Sequence, residues 1–159
     1  MTDTEAIQRL MFLYAECVDQ ADFEGLERLF EHGVMRANTA VGGMTGAEVR
    51  KFYARTNKVH PNGTLCTRHL ATNIIVDIED GGDRASARSY FVVLQATDKL
   101  PFQPIAGGRY HDHFERVDGA WRFAERMVLV DQVGNMSDHL TFDLAKQTID
   151  IQQVLSDNG

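Results

Sequence analysis

Apolar residues near the N-terminus recur every three or four positions, which is the spacing of a helix with one buried face. The residues on this face are Ile7, Leu10, Met11, Tyr14 and Val18. Thr2 and Glu5 have the spacing of a capping box, in which each side chain bonds the backbone N–H of the other residue. The pattern therefore predicts a first helix that begins after Thr2 and ends near Asp19.

The next apolar groups predict two shorter helices with a strand between them. Asp22 is a suitable N-cap for a helix over Phe23–Phe30, because its carboxylate can accept hydrogen bonds from the first backbone N–H groups. A short strand is predicted over Gly33–Asn38. Thr45 is the expected N-cap of a third helix, Gly46–Thr56.

In the second half of the chain the apolar spacing changes to that of extended strands. The predicted strands are Leu65–Ile78, Ala85–Ala96, Ile105–Val117 and Trp121–Val130. The segments 79–83 and 117–120 are compact turn signals, so the strands they join are expected to pair as antiparallel hairpins. The tail from Ser137 to Leu155 returns to helical spacing and predicts a C-terminal helix.

Helices followed by a run of antiparallel strands indicate the α+β class. We expect a cone-shaped barrel, in which the N-terminal helices pack across a curved, mostly antiparallel sheet. A chain of 159 residues suits one such domain. We assign residues 1–132 to the cone and residues 133–159 to a helical extension of the same domain.

The overall composition narrows the possible partners. The formal net charge of −7 disfavours nucleic acid and acidic membranes. No apolar run is long enough to cross a membrane, and the N-terminus does not have the pattern of a signal peptide. Cys17 and Cys66 lack metal-ligand spacing and are most simply interpreted as reduced thiols. We therefore expect a cytoplasmic protein that binds neither nucleic acid nor membranes.

Asp19 and His69 are polar residues whose positions are not explained by packing. Asp19 falls at the C-terminal end of the first helix, where the helix dipole disfavours a carboxylate. His69 lies near the start of a largely apolar strand, CTRHLATNIIVDI. If the two side chains meet, the carboxylate would hold one imidazole nitrogen and leave the other free as a general base. The alternative for His69 is a core histidine with a structural role.

Three stretches of the sequence carry a resemblance to a known family: AIQRLMFLYAECVDQADFEGLERLF, TRHLATNIIVDIE and GRYHDHFERVDGAWRFAERMVLV. They resemble the first two helices, the histidine-bearing strand and the last hairpin of the SnoaL-like group of the nuclear transport factor 2-like superfamily. The resemblance covers residues 5–132 and implies a cystatin-like cone. It also implies self-association through the outer face of the sheet, so a homodimer or homotrimer is expected.

Within this group the sequence resembles scytalone dehydratase and hexachlorocyclohexane dehydrochlorinase, which are lyases with an Asp–His dyad in a deep apolar pocket. Asp19 and His69 fall at the dyad positions. Arg126 falls where the dehydrochlorinase has an arginine that assists the leaving group. Tyr14 replaces a lysine of that enzyme, which puts dehydrochlorination in doubt but not base-assisted elimination. The resemblance thus implies a cofactor-independent lyase for a small apolar, aromatic or cyclic substrate.

The alternation of side chains along a strand predicts further pocket residues. Those that share a face with His69 or Arg126 are Thr67, Ala71, Val128 and Val130. On the preceding strand, Gly108 and Tyr110 would face the pocket, and the Tyr110 hydroxyl could hydrogen-bond a ligand. Tyr14 lies on the apolar face of the first helix, which is also compatible with core packing. Arg36, on the short strand, is a candidate for the pocket rim.

The histidine pair on the third long strand and Arg126 each have a second interpretation. His111 and His113 lie on one face of a strand and could share a metal ion. Because that face is opposite Tyr110 and the sequence does not indicate a third ligand, no metal site is predicted. Arg126 could instead form a structural salt bridge with Glu125 or with an acid of a neighbouring strand.

The sequence leaves two classes of function open. As a lyase, the protein would use His69 to take a proton from carbon or hydroxyl, while Asp19 stabilises the imidazolium and Arg126 or Tyr110 steadies the leaving group or an enolate-like oxygen. Dehydration fits best, with isomerisation and retro-aldol cleavage as related reactions. The alternative is a non-catalytic binding or assembly domain, such as the small subunit of a ring-hydroxylating oxygenase. For a binding domain, Asp19 and His69 are expected to be too far apart to bond.

Overall fold

The computed structural model describes residues 1–157 and places helices at both ends of a run of long strands. The helices are α1 (Asp3–Asp19), α2 (Phe23–Leu29), α3 (Gly46–Thr56) and α4 (Ile151–Ser156). The strands are β1 (Val34–Ala37), β2 (Ala40–Val41), β3 (Thr67–Ile78), β4 (Arg84–Gln95), β5 (Gln103–Val117), β6 (Ala120–Val133) and β7 (Ile149–Asp150). The predicted α1, α2, α3 and four long strands are confirmed, with ends that differ by three residues or fewer.

Helix α1 begins and packs as its sequence predicts. The Thr2 hydroxyl accepts from the Glu5 backbone N–H at 3.2 Å, and the Glu5 carboxylate accepts from the Thr2 backbone N–H at 2.6 Å. This reciprocal capping satisfies two donors that the first helical turn leaves free. One face of α1 is buried against the sheet and α2, and it carries Ile7, Met11, Tyr14, Val18 and Asp19.

The main sheet has five strands in the order β1-β6-β5-β4-β3. The three pairs among β3, β4, β5 and β6 are antiparallel, and β1 pairs with β6 in parallel. Asp118 and Gly119 both have positive φ, which suits the two central residues of a tight hairpin turn between β5 and β6. The sheet is curved but does not close on itself. The α+β class and cystatin-like architecture are therefore confirmed, whereas a closed barrel is not formed.

One face of the sheet packs against the helices and the other faces outward. Along β4 the buried residues alternate with more exposed ones, as expected for a sheet with one covered face. The core includes a stack of three aromatic rings, in which Phe123 lies 4.8 Å from both Phe30 and Phe114 between ring centroids. Phe30 is the C-cap of α2, so this packing holds the end of the helix against β5 and β6.

The C-terminal segment differs from its prediction. Residues 137–148 are not helical, and within the described range the short strand β7 and helix α4 follow them. Asn135 and Asp143 each accept a hydrogen bond from the backbone N–H two residues later, which is a local competitor of the helix. The backbone of the segment also bonds the body of the protein, through Thr141 N–H to Thr56 C=O at 2.9 Å. The assignment of residues 133–159 to an extension stays a prediction, and β6 itself runs to Val133.

Candidate active site

Asp19 and His69 are in direct contact in the structure. Asp19 is the last residue of α1, and His69 is the third residue of β3. Asp19 Oδ1 lies 2.6 Å from His69 Nδ1, and both side chains are 9% exposed. The expected meeting of the two residues is therefore present, while their role in catalysis stays a prediction.

Three further hydrogen-bond contacts fix the carboxylate of Asp19. The hydroxyl of Thr67 donates to Oδ1 at 2.6 Å, and the backbone N–H of His69 donates to both oxygens, at 2.9 Å to Oδ2 and 3.2 Å to Oδ1. Burial alone would raise the pKa of Asp19, but the hydrogen bonds from His69 and Thr67 outweigh it and hold this pKa below its ordinary value. An ionised carboxylate can only accept, so Nδ1 of His69 is the donor to Asp19, and in a neutral imidazole of this tautomer Nε2 carries the lone pair.

The imidazole of His69 lies on the wall of a cavity of about 140 Å³. The wall consists mainly of apolar and aromatic side chains from the helices, the sheet and the C-terminal segment. It includes Val18, Met35, Phe52, Phe91, Val93, Val128, Val130, Leu140, Phe142 and Leu144. A cavity of about 150 Å³ with a similar lining is known to hold benzene. The space therefore suits a ligand with one ring.

Three tyrosines are among the hydroxyl-bearing residues that line this cavity, together with Thr39 and Thr56. The hydroxyls of Tyr14 and Tyr53 are 2.7 Å apart and hydrogen-bond each other. The ring of Tyr110 lies edge-on to that of Tyr14, 5.9 Å away between centroids, and stacks on Phe91 at 4.6 Å. Burial raises the pKa values of Tyr14, Tyr53 and Tyr110 above the ordinary value, against the opposing charge of Arg126. All three phenols therefore stay protonated at neutral pH and can donate hydrogen bonds.

Arg126 is not on the cavity wall. Its Nε and Nη2 atoms donate to the two oxygens of Asp112 at 2.8 and 2.7 Å, and both side chains are 0% exposed. Its guanidinium carbon lies 4.3 Å from the ring centre of Tyr14 and 4.0 Å from that of Tyr110, so it sits behind the phenols. Burial would lower the pKa of Arg126, but the charge of Asp112 raises it above its ordinary value. The predicted contact with a leaving group is wrong, because the alternative salt bridge to a neighbouring strand's acid is the one formed.

Arg36 is also outside the cavity. Its side chain is 44% exposed and pairs with Glu125 at 3.4 Å on the outer side of β1 and β6. Val128, Tyr14 and Tyr110 do line the cavity as predicted. Gly108 does not, although Ala106 and Tyr110 on the same face of β5 do; the ring of Phe91 covers it, 2.8 Å from where a Cβ atom would lie.

His139 is a titratable cavity residue that the sequence analysis did not single out. It is 5% exposed, lines the cavity, and its ring centre lies 6.1 Å from that of His69. Its Nδ1 atom is buried without a hydrogen-bond partner in the described residues. Burial, with a smaller effect of nearby His69, lowers the pKa of His139 to about 3. The available signal was a histidine between Met136 and Leu140 in an apolar tail, but that tail was interpreted as an ordinary helix.

His111 and His113 point away from the cavity, on the exposed face of β5. Within residues 1–157 there is no group of three or more His, Cys, Asp or Glu side chains arranged to hold a metal ion. No helix in the same range is long and apolar enough to span a lipid bilayer.

Comparison with known protein families identifies a single domain. The model of the SnoaL-like domain matches residues 1–127, which is most of the chain. A comparison with curated proteins gives no match.

Solved structures with the same fold include three proteins from Novosphingobium aromaticivorans. A nuclear transport factor 2-like protein with a cystatin-like fold is 23% identical, with a TM-score of 0.68 and coverage of 86% of each chain. A proposed scytalone dehydratase is 25% identical, with a TM-score of 0.63 and coverage of 83% of this chain and 86% of the other. The beta subunit of a proposed aromatic-ring-hydroxylating dioxygenase is 20% identical, with a TM-score of 0.64 and coverage of 82% and 90%.

Proposed function

The chain belongs to the SnoaL-like domain family, and from this premise we propose that it is a cofactor-independent lyase of the dehydratase type. The observation that carries the proposal is the 2.6 Å contact between Asp19 Oδ1 and His69 Nδ1, made where the imidazole lines an apolar cavity. The SnoaL-like family includes dehydratases and isomerases. A non-catalytic binding domain does not need this contact, and for such a domain we expected the two side chains to lie apart.

The proposed reaction begins with proton transfer to His69. Its Nε2 lone pair takes a proton from a substrate carbon, and the electrons of that C–H bond form a new C=C bond. At the same time the C–O bond to a hydroxyl on the next carbon breaks. Asp19 keeps the imidazole in the required tautomer and stabilises the imidazolium that forms.

The leaving hydroxyl takes a proton from a tyrosine and departs as water. Tyr14 is the proposed donor, because its hydroxyl is protonated at neutral pH and is held by Tyr53 at 2.7 Å. Arg126, behind the Tyr14 ring, stabilises the negative charge that develops on the phenol oxygen, without touching the substrate. The proton on His69 then returns to Tyr14 through solvent, so that the products are the alkene and water.

The cavity lining supports a small uncharged substrate. None of the described residues that line it is Asp, Glu, Lys or Arg. The volume of about 140 Å³ suits one ring. A cyclic β-hydroxy ketone fits this description, because its carbonyl acidifies the C–H bond that His69 would attack.

The test uses β-hydroxycyclohexanone, whose dehydration to cyclohexenone is followed by the absorbance of the conjugated ketone. We expect the wild-type protein to accelerate this reaction and His69→Ala to abolish the acceleration with an unchanged circular dichroism spectrum. His113→Ala is the matched control, since His113 is exposed on the outer face of β5. Full activity of His69→Ala, or no acceleration by the wild type, would contradict the proposal.

We also propose that the protein self-associates through the outer face of its sheet. Leu70 and Tyr90 are 44% and 55% exposed on neighbouring strands of this face. Because Tyr90 pairs with Thr72, two residues from Leu70, the two side chains form one apolar patch. Light scattering after size exclusion at micromolar concentration should give a dimer or trimer, and a clean monomer would refute this.

A further inference from the structure

His139 is the buried polar group that the proposed reaction does not use. Most buried polar atoms in proteins have a hydrogen-bond partner, and one that lacks a partner requires an explanation. Nδ1 of His139 has none in the described residues, although the ring lines the cavity next to His69. A leucine would fill similar space without leaving a polar atom unpaired.

We propose that His139 is a substrate-binding residue, whose ring hydrogen-bonds an oxygen of the ligand beside the carbon that His69 deprotonates. This inference rests on the proposed function, since it places the oxygen relative to the base. The C-terminal segment then contributes a residue to the site, as α1 does through Asp19 and β3 through His69.

The position of His139 is fixed by its backbone and its neighbours. The carbonyl of His139 accepts from the Lys58 backbone N–H at 2.8 Å. The carbonyl of Asp138 accepts from the Gln95 amide at 3.1 Å, and His60 Nε2 lies 2.9 Å from the same oxygen. The carbonyl of Ser137 accepts from the Lys58 ammonium at 2.7 Å. These contacts hold the segment against the body of the protein and leave the ring of His139 for the cavity.

The geometry of the two histidines suits adjacent substrate atoms. Their ring centres are 6.1 Å apart and their planes are inclined by 57°. His69 uses Nδ1 for Asp19, so its Nε2 is the atom available to the ligand. Both rings line the same cavity, so a ligand lying against their edges can present a C–H bond to His69 and an oxygen to His139.

The charge state of His139 determines which kind of ligand oxygen its ring can bind. Burial holds its pKa at about 3, so the imidazole is neutral at physiological pH and has one N–H donor and one acceptor nitrogen. His69, Asp19 and His60 are the titratable groups whose charges act on it. Such a ring binds a neutral carbonyl or hydroxyl oxygen without offering a charge to a carboxylate. The inferred ligand class is therefore a small cyclic ketone, whose carbonyl acidifies the C–H bond on the neighbouring carbon.

The experiment compares two ligands that differ in one group. Cyclohexanone has a carbonyl where methylenecyclohexane has C=CH₂, and both have one ring. Protein-observed NMR titrations give the Kd of each for the wild type, for His139→Leu and for His139→Gln. We expect His139→Leu to reduce the preference for cyclohexanone over methylenecyclohexane by about tenfold, as for the loss of one hydrogen bond. The Kd of methylenecyclohexane should stay nearly constant, and His139→Gln should recover part of the preference, because its amide can still bond the carbonyl.

Two results would overturn the inference: a ratio of the two Kd values that is unchanged in His139→Leu, or no binding of cyclohexanone to the wild type at millimolar concentration. A second readout separates this outcome from failure of the proposed function. Exchange of the α-protons of cyclohexanone in D₂O should be accelerated by the wild type and lost in His69→Ala, which should keep the ligand preference. Lost preference in His139→Leu without any wild-type acceleration would refute the lyase and support the binding role alone.

Discussion

Among residues 1–157, two buried pairs of a carboxylate and a nitrogen-bearing side chain make similar contacts but face different surroundings. Asp19–His69 and Asp112–Arg126 each join a carboxylate to a nitrogen base at less than 3 Å. The first pair leaves an imidazole on the wall of the cavity. The second is sealed, with Arg126 covered by the rings of Tyr14 and Tyr110. Burial and pairing are thus common to both, so neither feature identifies a candidate base, whereas access to the cavity does.

The two pairs also differ in the chemistry of the base. Arginine stays charged in proteins, so Arg126 can supply a fixed positive field but cannot exchange a proton with a substrate. Neutral histidine has a lone pair to offer. The comparison therefore predicts that damage to the first pair chiefly lowers the rate of reaction, and that loss of Asp112 from the second pair chiefly lowers the free energy of unfolding.

The largest expected effect follows from Asp19→Asn. The amide keeps the size of the side chain but does not hold the imidazole in the tautomer that leaves Nε2 free. In a comparable Ser–His–Asp system this change lowers turnover by about 10⁴-fold, and we expect a loss of about 10³–10⁴-fold here. Dehydration of β-hydroxycyclohexanone measures it, with the urea midpoint as the check on folding. A loss below about tenfold would remove Asp19 from the mechanism.

The next effect is the loss of stability in Asp112→Ala. This change leaves the Arg126 charge buried without its partner, which typically costs about 3–5 kcal/mol. Chemical denaturation measures the free energy of unfolding. The matched control is Asp131→Ala, which breaks the bidentate Arg109–Asp131 pair across the same two strands, at 2.8 and 3.0 Å, on the exposed face. Little change is expected in that variant, and equal losses in the two would refute the contrast.

A smaller effect concerns the pH dependence contributed by His139, a buried base that has no acidic partner. Its pKa is lowered from 6.5 to about 3 in the folded protein, so between these values the unfolded chain binds more protons than the folded one. Stability from this group is therefore complete above pH 6.5 and is lost as the pH falls toward 3, by at most about 1.4 kcal/mol per pH unit. Between pH 7 and 4, the free energy of unfolding should fall less steeply with decreasing pH for His139→Gln than for the wild type, as measured by chemical denaturation at each pH.

The contribution of Asp19 does not disturb this comparison. Its lowered pKa also makes the folded state less stable in acid, but the carboxylate is present in both proteins and cancels in the difference. Parallel curves for the wild type and His139→Gln would contradict the burial of an uncharged His139.

Much of the fold could be predicted because its long elements carry a clear local period. The helical stripe of α1 and the alternation along β4 are both readable from the chain, and the capping residues mark where α1 starts. The C-terminal segment was mispredicted because Leu140 and Leu144 have helical spacing in a segment that does not form a helix. Both residues line the cavity, and the backbone of the segment forms isolated turns, such as Leu140 N–H to Met136 C=O, together with hydrogen bonds to distant residues, such as Thr141 N–H to Thr56 C=O.

The site was predictable in part for the same reason. Asp19 stood out because a carboxylate at the end of a helix lacks a local explanation, and His69 because it lies near the start of a largely apolar strand. The partner of Arg126 depends on the register of β5 with β6, which places Asp112 directly opposite, and a sequence does not specify register. Asp112 was not singled out, although its alternation with His111 and His113 already put it on the inner face. His139 was missed with the segment that carries it.

Which imidazole nitrogen of His69 carries the proton is the most direct test of whether the Asp19–His69 pair can act as a general base. Two-bond ¹⁵N–¹H correlation spectra of the neutral imidazole distinguish its two tautomers. We predict a proton on Nδ1, bound to Asp19, and a bare Nε2 facing the cavity. A neutral His69 with its proton on Nε2 would have no lone pair to offer a substrate, and would contradict the proposed mechanism at its first step.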